Sequence, residues 1–440
     1  MHTLEQLRAG ALQGITRLQL RGGLTDFPRE IFDLADTLEI LDLTDNALSA
    51  LPDDLPRLHK LRILFCSNNR FTELPSMLGR MPALTMVGFK ANQIESVPAS
   101  ALPPALRWLV LTDNRIEQLP DELGRRPAMQ KLMLAGNRLK SLPDTMANLH
   151  QLELLRLSAN GFDTLPAWLP TLPRLAWLAC AGNPWGADRA QAMSTAPARL
   201  IDWRQLTLQQ RLGEGASGVI RRADWQHDGG STPVAVKLYK GEMTSDGSPL
   251  NEMAACVAAG LHPNLIPVLG RITGHPEQTQ GLVMALLDPT LVNLAGPPSF
   301  ASCSRDIYDD GKRFGWQAML AIAHGVASAA AQLHQRGILH GDLYGHNILH
   351  DDNGRCVLSD FGAAAFYAPA SQAAMPLQRI EVRAFGLLLD ELLERCDAPP
   401  ALRAQLAALH AACTQAEVGA RPLFAAIAAR LHELDQSKQD

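Results

Sequence analysis

The strongest constraint on this chain is a short pattern that recurs along residues 38–183. Seven blocks share the form L-x-x-L-x-L-x-x-N, with other apolar residues at some leucine positions, and they begin 23 residues apart with one gap of 22. The blocks begin at Leu38, Leu61, Leu84, Leu106, Met129, Leu152 and Leu175. One block cannot bury its own apolar side chains, so successive blocks must stack into a continuous core. The pattern therefore predicts a solenoid.

Each block continues into a Leu-Pro or Val-Pro pair, such as Leu51-Pro52 or Val97-Pro98. The combined pattern resembles the leucine-rich repeat, whose period is roughly 20–29 residues. The resemblance implies a horseshoe-shaped solenoid over residues 1–185, followed by a cap and linker over 186–204. In each repeat we expect the asparagine to satisfy buried backbone groups and the proline to introduce a short helical turn.

The third and fifth positions of the blocks should face outward on the concave side, and they are unusually apolar. The resulting stripe consists of Ile40, Ile63, Phe65, Met86, Trp108, Val110, Leu154 and Trp177. An exposed apolar stripe is costly in water, and such patches generally mark contact surfaces. We expect this face to bind a protein or peptide, either a separate partner or the chain's own C-terminal domain. The alternative is that these side chains cover one another.

Composition narrows the class of partner and the compartment. The net charge of −5 gives no reason to expect a nucleic acid or a membrane surface as partner. No apolar run reaches the ~18 residues that a membrane span needs, and the N-terminus lacks an apolar signal core, so we expect a cytoplasmic protein. The seven cysteines are scattered without C-x-x-C pairs, which favours reduced thiols. Abundant alanine and the excess of arginine over lysine suggest a bacterial source.

The C-terminal half carries four short motifs in a fixed order. They are Gly213-Glu-Gly-Ala-Ser-Gly218, Val-Ala-Val-Lys237, His340-Gly-Asp342 with Asn347, and Asp360-Phe-Gly362. Each motif alone is common, but all four at these spacings rarely arise by chance. Strand-like segments on both sides of the glycine motif distinguish it from a dinucleotide-binding turn, where a helix follows at once. The ordered set resembles that of the protein kinases over about residues 205–435.

The resemblance implies a two-lobed protein-kinase-like domain over residues 205–436, with an N-lobe at 205–287 and a C-lobe at 288–436. It also implies ATP and Mg²⁺ as cofactors. The expected fold class is therefore multidomain, α/β and α+β, with a leucine-rich-repeat solenoid followed by the two-lobed domain.

The same resemblance assigns roles to individual residues. Lys237 would bond the α- and β-phosphates and pair with Glu252, and Asp342 would accept or orient the substrate hydroxyl. Asn347 and Asp360 would bind magnesium. The nucleotide pocket would be lined by Leu212, Gly213, Gly215, Gly218, Ile220, Ala235, Lys237, Met284 and Leu349.

Four departures from the kinase pattern affect the expected regulation and substrate. The catalytic loop reads His-Gly-Asp, without the arginine that clamps a phosphorylated activation loop. Tyr344 stands where serine/threonine kinases have a lysine, and the hypothesis is that His346, when protonated, partly substitutes for that lysine. The segment 360–381 is short, and Ala370 replaces a glutamate that would pair with Arg421.

Three functions fit these observations. The first is a protein kinase that phosphorylates serine or threonine, carries a protein-binding arm and is not controlled by activation-loop phosphorylation. The second is a small-molecule kinase of the aminoglycoside or choline type, which also has a short segment here. The third is a catalytically weak or inactive scaffold. The complete set of Lys237, Glu252, Asp342, Asn347 and Asp360 disfavours the third, and the attached solenoid disfavours the second.

Overall fold

The computed structural model describes residues 2–194, 198–215, 217–241, 244 and 247–436. The chain divides into two compact units, Met1–Leu172 and Pro173–Asp440. The last predicted repeat, residues 173–185, thus groups with the second unit. Part of the predicted linker, residues 195–197, lies outside the described residues. None of the described helices has both the length and the apolar character that a bilayer-spanning helix requires.

The first unit is built from short parallel strands joined by 3₁₀ turns. It begins with helix α1 (Leu4–Arg8) and continues with β1 (Arg17–Gln19), β2 (Ile40–Asp42), β3 (Ile63–Phe65), β4 (Met86–Gly88), β5 (Trp108–Val110), β6 (Lys131–Met133) and β7 (Leu154–Arg156). These strands pair in sequence order. The 3₁₀ turns are Arg29–Leu34, Leu55–Arg57, Ser76–Arg80, Ala99–Ala101, Asp121–Arg125, Asp144–Asn148 and Leu169–Thr171. Most follow a repeat proline, as expected.

The asparagine of each repeat satisfies the backbone of its own repeat and of the one before it. Asn137 shows the arrangement: its Oδ1 accepts a hydrogen bond from the Ile116 amide at 3.0 Å. Its Nδ2 donates to the carbonyls of Leu111 and Leu134, both at 2.9 Å. Groups that would otherwise be buried without partners are thereby paired. The predicted ladder is confirmed.

The turn before each asparagine has a feature that the sequence did not reveal. The preceding residue lies in the left-handed region of φ in every repeat: Asp45, Asn68, Ala91, Asp113, Gly136, Ala159 and Gly182. Because this conformation is strained for residues with a Cβ, the turn geometry must be imposed by the surrounding repeat.

The expectation of an exposed apolar stripe is wrong for part of its length. Met86, Leu154 and Trp177 are 4%, 3% and 2% exposed, and Ile63 is also buried. Ile40, Phe65, Trp108 and Val110 are half-buried. The continuous stripe therefore reduces to a smaller set of partly accessible side chains.

The second unit contains the remaining strands and helices. In chain order these are β8 (Trp177–Ala179), α2 (Ala187–Ser194), β9 (Leu200–Asp202), β10 (Leu206–Glu214), β11 (Gly218–His227), β12 (Gly230–Tyr239), α3 (Pro249–Ala259), β13 (Val268–Thr273), β14 (Gly281–Ala285), β15 (Val292–Asn293), α4 (Trp316–Gln335), β16 (Ile338–Leu339), β17 (Ile348–His350), β18 (Cys356–Leu358), β19 (Ala365–Phe366), α5 (Ala374–Glu394), α6 (Pro400–Cys413) and α7 (Phe424–Gln436). Three 3₁₀ turns lie at Trp203–Gln205, Gly345–Asn347 and Val418–Ala420.

The N-terminal part of this unit is a six-stranded sheet with the order β10-β11-β12-β14-β13-β9. Strand β9, in the segment predicted as a linker, pairs in parallel with β13. Because side chains alternate along a strand, β12 contributes to two cores. Val234 and Val236 join a cluster on one face, whereas Ala235 and Tyr239 join another that includes Met253 of α3.

The C-terminal part is mainly helical. Helix α4 packs against α7, and α5 packs against α6. The loop that carries Asp342 begins after β16, a strand of the small β16-β19 sheet, and ends at β17, a strand of the small β15-β17-β18 sheet. Both ends of the loop are therefore attached to short paired strands.

Candidate active site

Lys237 reaches the site because it lies on the face of β12 that packs against α3. Its Nζ forms an ion pair with Oε1 of Glu252, and the two side chains are 13% and 2% exposed. Burial alone would lower the pKa of Lys237, but attraction and hydrogen bonding from Glu252 outweigh it, so the pKa lies above its ordinary value. Lys237 therefore remains a cation in this buried position. The predicted ion pair is present.

The glycine motif joins β10 to β11, as the strand-like flanks predicted, although Ala216 lies outside the described residues. A Cβ on Gly218 would collide with the Leu238 carbonyl of the neighbouring strand, so this position requires glycine. A Cβ on Gly213 or Gly215 would meet open space. These two glycines leave room above the turn, which suits close approach of a ligand to the backbone.

The predicted lining of the nucleotide pocket falls on neighbouring strands. Ala235 and Met284 are directly paired across β12 and β14, and Ile220 packs against the same cluster. Leu349 lies in β17. Leu212, at the edge of the glycine turn, is 48% exposed. The apolar members thus offer a surface of the kind that ligand pockets use.

Asp342 and Asn347 lie at the two ends of one loop and bond to each other. Asn347 Nδ2 donates to both the backbone carbonyl and Oδ2 of Asp342, each at 2.9 Å. The Ser359 amide and hydroxyl both donate to the Asn347 carbonyl at 2.9 Å. Since Nδ2 is used, the side-chain oxygen of Asn347 is the atom that can serve as a ligand.

Asp360 follows Ser359 and has a left-handed backbone, with φ of 56°. Its Oδ1 accepts a hydrogen bond from the Gly362 amide at 3.0 Å. Its charge acts on both Lys237 and Glu252, which places the three groups in one electrostatic environment. Strained residues of this kind concentrate at functional sites.

Glu381 of α5 bonds to the backbone of the catalytic loop, next to Asp342. Its Oε1 accepts from the Gly341 amide at 2.6 Å, and its Oε2 bonds to His334 Nε2 at 2.7 Å. Burial alone would raise the pKa of Glu381, but the hydrogen bond and charge of His334 outweigh it, and the pKa lies below its ordinary value. The carboxylate therefore stays ionised and fixes the residue before Asp342.

Sequence reasoning missed a second support for the loop, in the segment 296–314. Asp306 accepts from the His346 amide at 3.0 Å and bonds to His346 Nδ1 at 2.7 Å. Burial alone would lower the pKa of His346, but Asp306 outweighs it and the pKa is raised. Tyr308 of the same segment donates to Glu391 Oε2 at 3.1 Å. Only the acidic composition of this segment hinted at such a contact.

Arg421 lacks the glutamate partner of the kinase pattern, yet it is fully bonded along its buried length. Its Nε donates to the Gln415 carbonyl at 2.9 Å and its Nη1 to the Arg379 carbonyl at 3.0 Å. Its Nη2 donates to the Pro173 carbonyl at 2.7 Å. Backbone carbonyls thus take the place of the missing carboxylate.

The oxygen atoms of Asp360 and Asn347 are the candidate ligands for a magnesium ion. The described residues contain no cluster of three His, Cys, Asp or Glu side chains arranged for a metal ion. The site instead offers one carboxylate, from Asp360 after β18, and one amide oxygen, from Asn347 of the catalytic loop. Mg²⁺ is commonly held by one or two protein oxygens together with substrate phosphates and water, so these residues fit it.

Comparisons with known families identify two kinds of domain in the chain. Residues 206–381 match the model of the protein tyrosine and serine/threonine kinases. Residues 60–81 and 104–183 match leucine-rich repeat models.

Individual relatives match mainly the kinase part. The serine/threonine-protein kinase CTR1 of Arabidopsis thaliana is 27% identical over 282 residues, covering 54% of this chain and 32% of CTR1. The human tyrosine-protein kinase Srms is 24% identical, covering 52% of each protein. The transforming protein mos of Moloney murine sarcoma virus (strain ts110), a serine/threonine kinase, is 29% identical over 37% of this chain and 46% of mos. The chain spans about a third to a half of these relatives.

The matches and the geometry together define the class of this protein. The chain combines leucine-rich repeats with a protein kinase domain. Such a domain uses ATP and a divalent metal ion, usually Mg²⁺. The relatives come from a plant, a mammal and a virus, so the bacterial source expected from composition stays a prediction.

Proposed function

We propose that this protein is an ATP-dependent serine/threonine protein kinase whose repeats bind a protein or peptide. The observation that carries the proposal is the buried Lys237–Glu252 ion pair, assembled in the same electrostatic environment as Asp360. An active kinase needs both this ion pair and the metal-binding aspartate in place. A scaffold without catalytic activity would not need to keep such a costly buried pair.

Each site residue has a role in the proposed reaction. Lys237 binds the α- and β-phosphates, and the glycine turn covers them with backbone amides. Asn347 and Asp360 hold the divalent metal, which neutralises charge on the phosphates. Asp342 orients the acceptor hydroxyl and takes its proton as the oxygen attacks the γ-phosphorus, while the bond from that phosphorus to the ADP oxygen breaks. Glu252 keeps Lys237 in position.

Specificity for serine or threonine is supported by two of the three relatives described above. CTR1 and mos are serine/threonine kinases, whereas Srms is a tyrosine kinase. The acceptor is a protein in this proposal because the repeats supply an arm of the kind that binds proteins.

In this proposal, phosphorylation of the activation loop does not control the kinase. Gly341 stands where the clamping arginine would be, with φ of +76°. A Cβ at this position would lie 2.6 Å from the Ala363 carbonyl oxygen and 2.7 Å from that of Leu178. No side chain fits there, so an arginine cannot bind a phosphorylated loop from this position.

The partner surface is the part of the concave stripe that remains partly accessible, namely Ile40, Phe65, Trp108 and Val110. Partly accessible apolar side chains of this size, on β2, β3 and β5 of one sheet, support a contact with a protein or peptide. We place the protein in the cytoplasm of a bacterium, from its composition alone.

The test is phosphoryl transfer by the purified full-length chain with Mg²⁺ and γ-labelled ATP. Label should appear on the protein itself or on a generic protein acceptor, and Asp342→Ala should reduce it by about 10³-fold or more, since the acceptor hydroxyl is no longer oriented. Asp397→Ala, an exposed aspartate of the same unit, is the matched control and should retain full transfer.

Three outcomes would oppose the proposal. Label found only on a small-molecule acceptor would indicate the aminoglycoside or choline type of kinase. ATP binding by calorimetry without any transfer would indicate a scaffold. Label on tyrosine alone, by phosphoamino-acid analysis, would contradict the serine/threonine assignment.

A further inference from the structure

The last repeat, residues 173–185, lies in the same compact unit as the catalytic loop but outside the region that matches the kinase family. Its strand, β8, contributes Trp177, which is 2% exposed. A buried tryptophan needs a partner for both its ring and its N–H group. Two partners of Trp177 belong to the catalytic loop, and a third, the Arg305 guanidinium, lies over the indole ring at 5.6 Å from its centroid.

The indole ring stacks on the ring of Tyr344, with centroids 4.1 Å apart and planes inclined by 4°. The indole Nε1 donates to the Leu343 carbonyl at 3.0 Å. These contacts hold the two residues that directly follow Asp342. Tyr344 is the residue at the lysine position of the serine/threonine kinase pattern, so the aromatic replacement has a partner in this chain.

The next residue of β8, Leu178, contacts Gly341, the residue that directly precedes Asp342. The Leu178 carbonyl oxygen approaches Gly341 so closely that a Cβ there would lie 2.7 Å away. The beginning of the same repeat is tied down by the bond from Arg421 Nη2 to the Pro173 carbonyl. Asp342 therefore lies between two contacts from one anchored strand.

We infer that Trp177 is a positioning residue for the catalytic loop: it holds Leu343 and Tyr344, and through them the carboxylate of Asp342. This inference rests on the proposed kinase function. The His-Gly-Asp loop has no arginine at residue 341 that could bind a phosphorylated segment. The contacts from Trp177 take over the ordering of the loop that such an arginine would provide. The loop is then kept in place permanently by the last repeat instead of by a modification.

The inference predicts which kinetic quantity changes. Trp177 bonds neither the Lys237–Glu252 pair nor the strands that carry Ala235 and Met284, so nucleotide binding should not depend on it. A displaced Asp342 should instead slow the chemical step, because misplacement of about 1 Å can cost about 10²-fold in rate.

The experiment compares Trp177→Ala, Trp177→Phe and Trp168→Ala in the full-length chain. Trp168 lies just before the Leu169–Thr171 turn, in the first compact unit, so its variant controls for the loss of a repeat tryptophan. We expect kcat of Trp177→Ala to fall about 10- to 100-fold with the KM for ATP changed less than about twofold. Trp177→Phe, which keeps a ring for the stack, should recover most of kcat, and Trp168→Ala should match the wild type.

Hydrogen–deuterium exchange of residues 341–347 gives a second readout that does not require activity. Trp177→Ala should raise exchange in these amides, and Trp168→Ala should not. The double variant Trp177→Ala, Tyr344→Ala should lose little more kcat than Trp177→Ala alone, because the two residues act through one contact.

The outcomes separate this inference from the proposed function. If the wild type transfers no phosphate, the proposed function fails, and exchange alone then decides the positioning role. Unchanged exchange in the loop of Trp177→Ala overturns the inference whatever the activity. A rise in kcat of Trp177→Ala also overturns it, because Trp177 would then obstruct the acceptor site.

Discussion

The repeat unit and the catalytic unit both hold non-glycine residues in the left-handed region of φ, and the two cases differ in what the side chain does. In the repeats the position before each asparagine is occupied by aspartate, asparagine, alanine or glycine. Ala159, with φ of 53°, has no polar side chain to compensate for the strain. In the catalytic unit Asp360 has φ of 56°, and its carboxylate accepts a bond from Gly362.

The comparison shows that equal backbone strain has two physical meanings. Four residue types share the position in the repeats, so the turn is required there and the side chain is incidental. At Asp360 we expect the side chain to be required, because in the proposed reaction its carboxylate and the side-chain oxygen of Asn347 hold the metal ion. Strain in the repeats should therefore be removable without loss, whereas at Asp360 it should not.

The largest expected effect is that of Asp360→Gly. Glycine relieves the backbone strain but loses the bond from the Gly362 amide and makes the unfolded chain more flexible, so stability should change by only about 1 kcal/mol. Removal of a group that organises charge at the site should nevertheless cost at least about 10²-fold in kcat. Thermal unfolding and phosphoryl transfer, measured on the same preparation, give both quantities.

Asp360→Asn is the matched control for this variant. Its side-chain oxygen can still accept the Gly362 amide and asparagine tolerates the left-handed region, so only the charge is lost. Both variants should lose at least about 10²-fold in kcat. Activity of Asp360→Gly within about tenfold of the wild type would mean that the reaction requires neither the carboxylate of Asp360 nor the backbone strain at this residue.

The two units also differ in how far apart in sequence the partners of their polar groups lie. In the repeats, the hydrogen bonds of an amide such as Asn137 join its own repeat and the neighbouring one. The catalytic unit buries ionisable groups whose partners lie far away in sequence, as with Glu391 and Tyr308. Burial raises the pKa of Glu391 to about 8, with Asp306 adding to the effect. The stability of the protein should therefore depend on pH in part through Glu391.

Glu391→Gln tests this second difference. The folded-state pKa of about 8 lies above the ordinary value of 4.5, so the proton is bound in the folded chain and released on unfolding between these values. This contribution to stability is complete below pH 4.5 and is lost as pH rises through about 8, at about 1 kcal/mol per pH unit. Glu391→Gln should reduce this slope, measured by unfolding at several pH values.

The control for Glu391→Gln is Asp390→Asn, which removes one exposed carboxylate from the same helix and should preserve the wild-type slope. An unchanged slope in Glu391→Gln would show that the carboxyl group is ionised in the folded protein at neutral pH.

The sequence allowed prediction of contacts whose two residues are related by the repeat period or by the spacing of the kinase motifs. The asparagine ladder repeats with the blocks, and the Lys237–Glu252 pair follows from two motifs that lie 15 residues apart. The contacts of Asp306 with His346 and of Trp177 with Leu343 join residues 40 and 166 positions apart with no motif between them. No local pattern encodes such contacts. The prediction that Trp177 is exposed was wrong for the same reason, because Tyr344, the residue that covers it, is distant in sequence.

The smallest expected effect is that of Ala159→Gly, which tests whether strain in the repeats is incidental. Glycine already occupies this position at residues 136 and 182, and removing the Cβ relieves the left-handed strain while making the unfolded chain more flexible. The net gain should be about 0.5 kcal/mol, read as slower hydrogen exchange of the β7 amides. Ala50→Gly, at an exposed position without a positive φ, should instead destabilise its repeat by a similar amount. If both variants destabilise equally, Ala159 is held by contacts of its methyl group, and the side chain at this turn contributes to the fold after all.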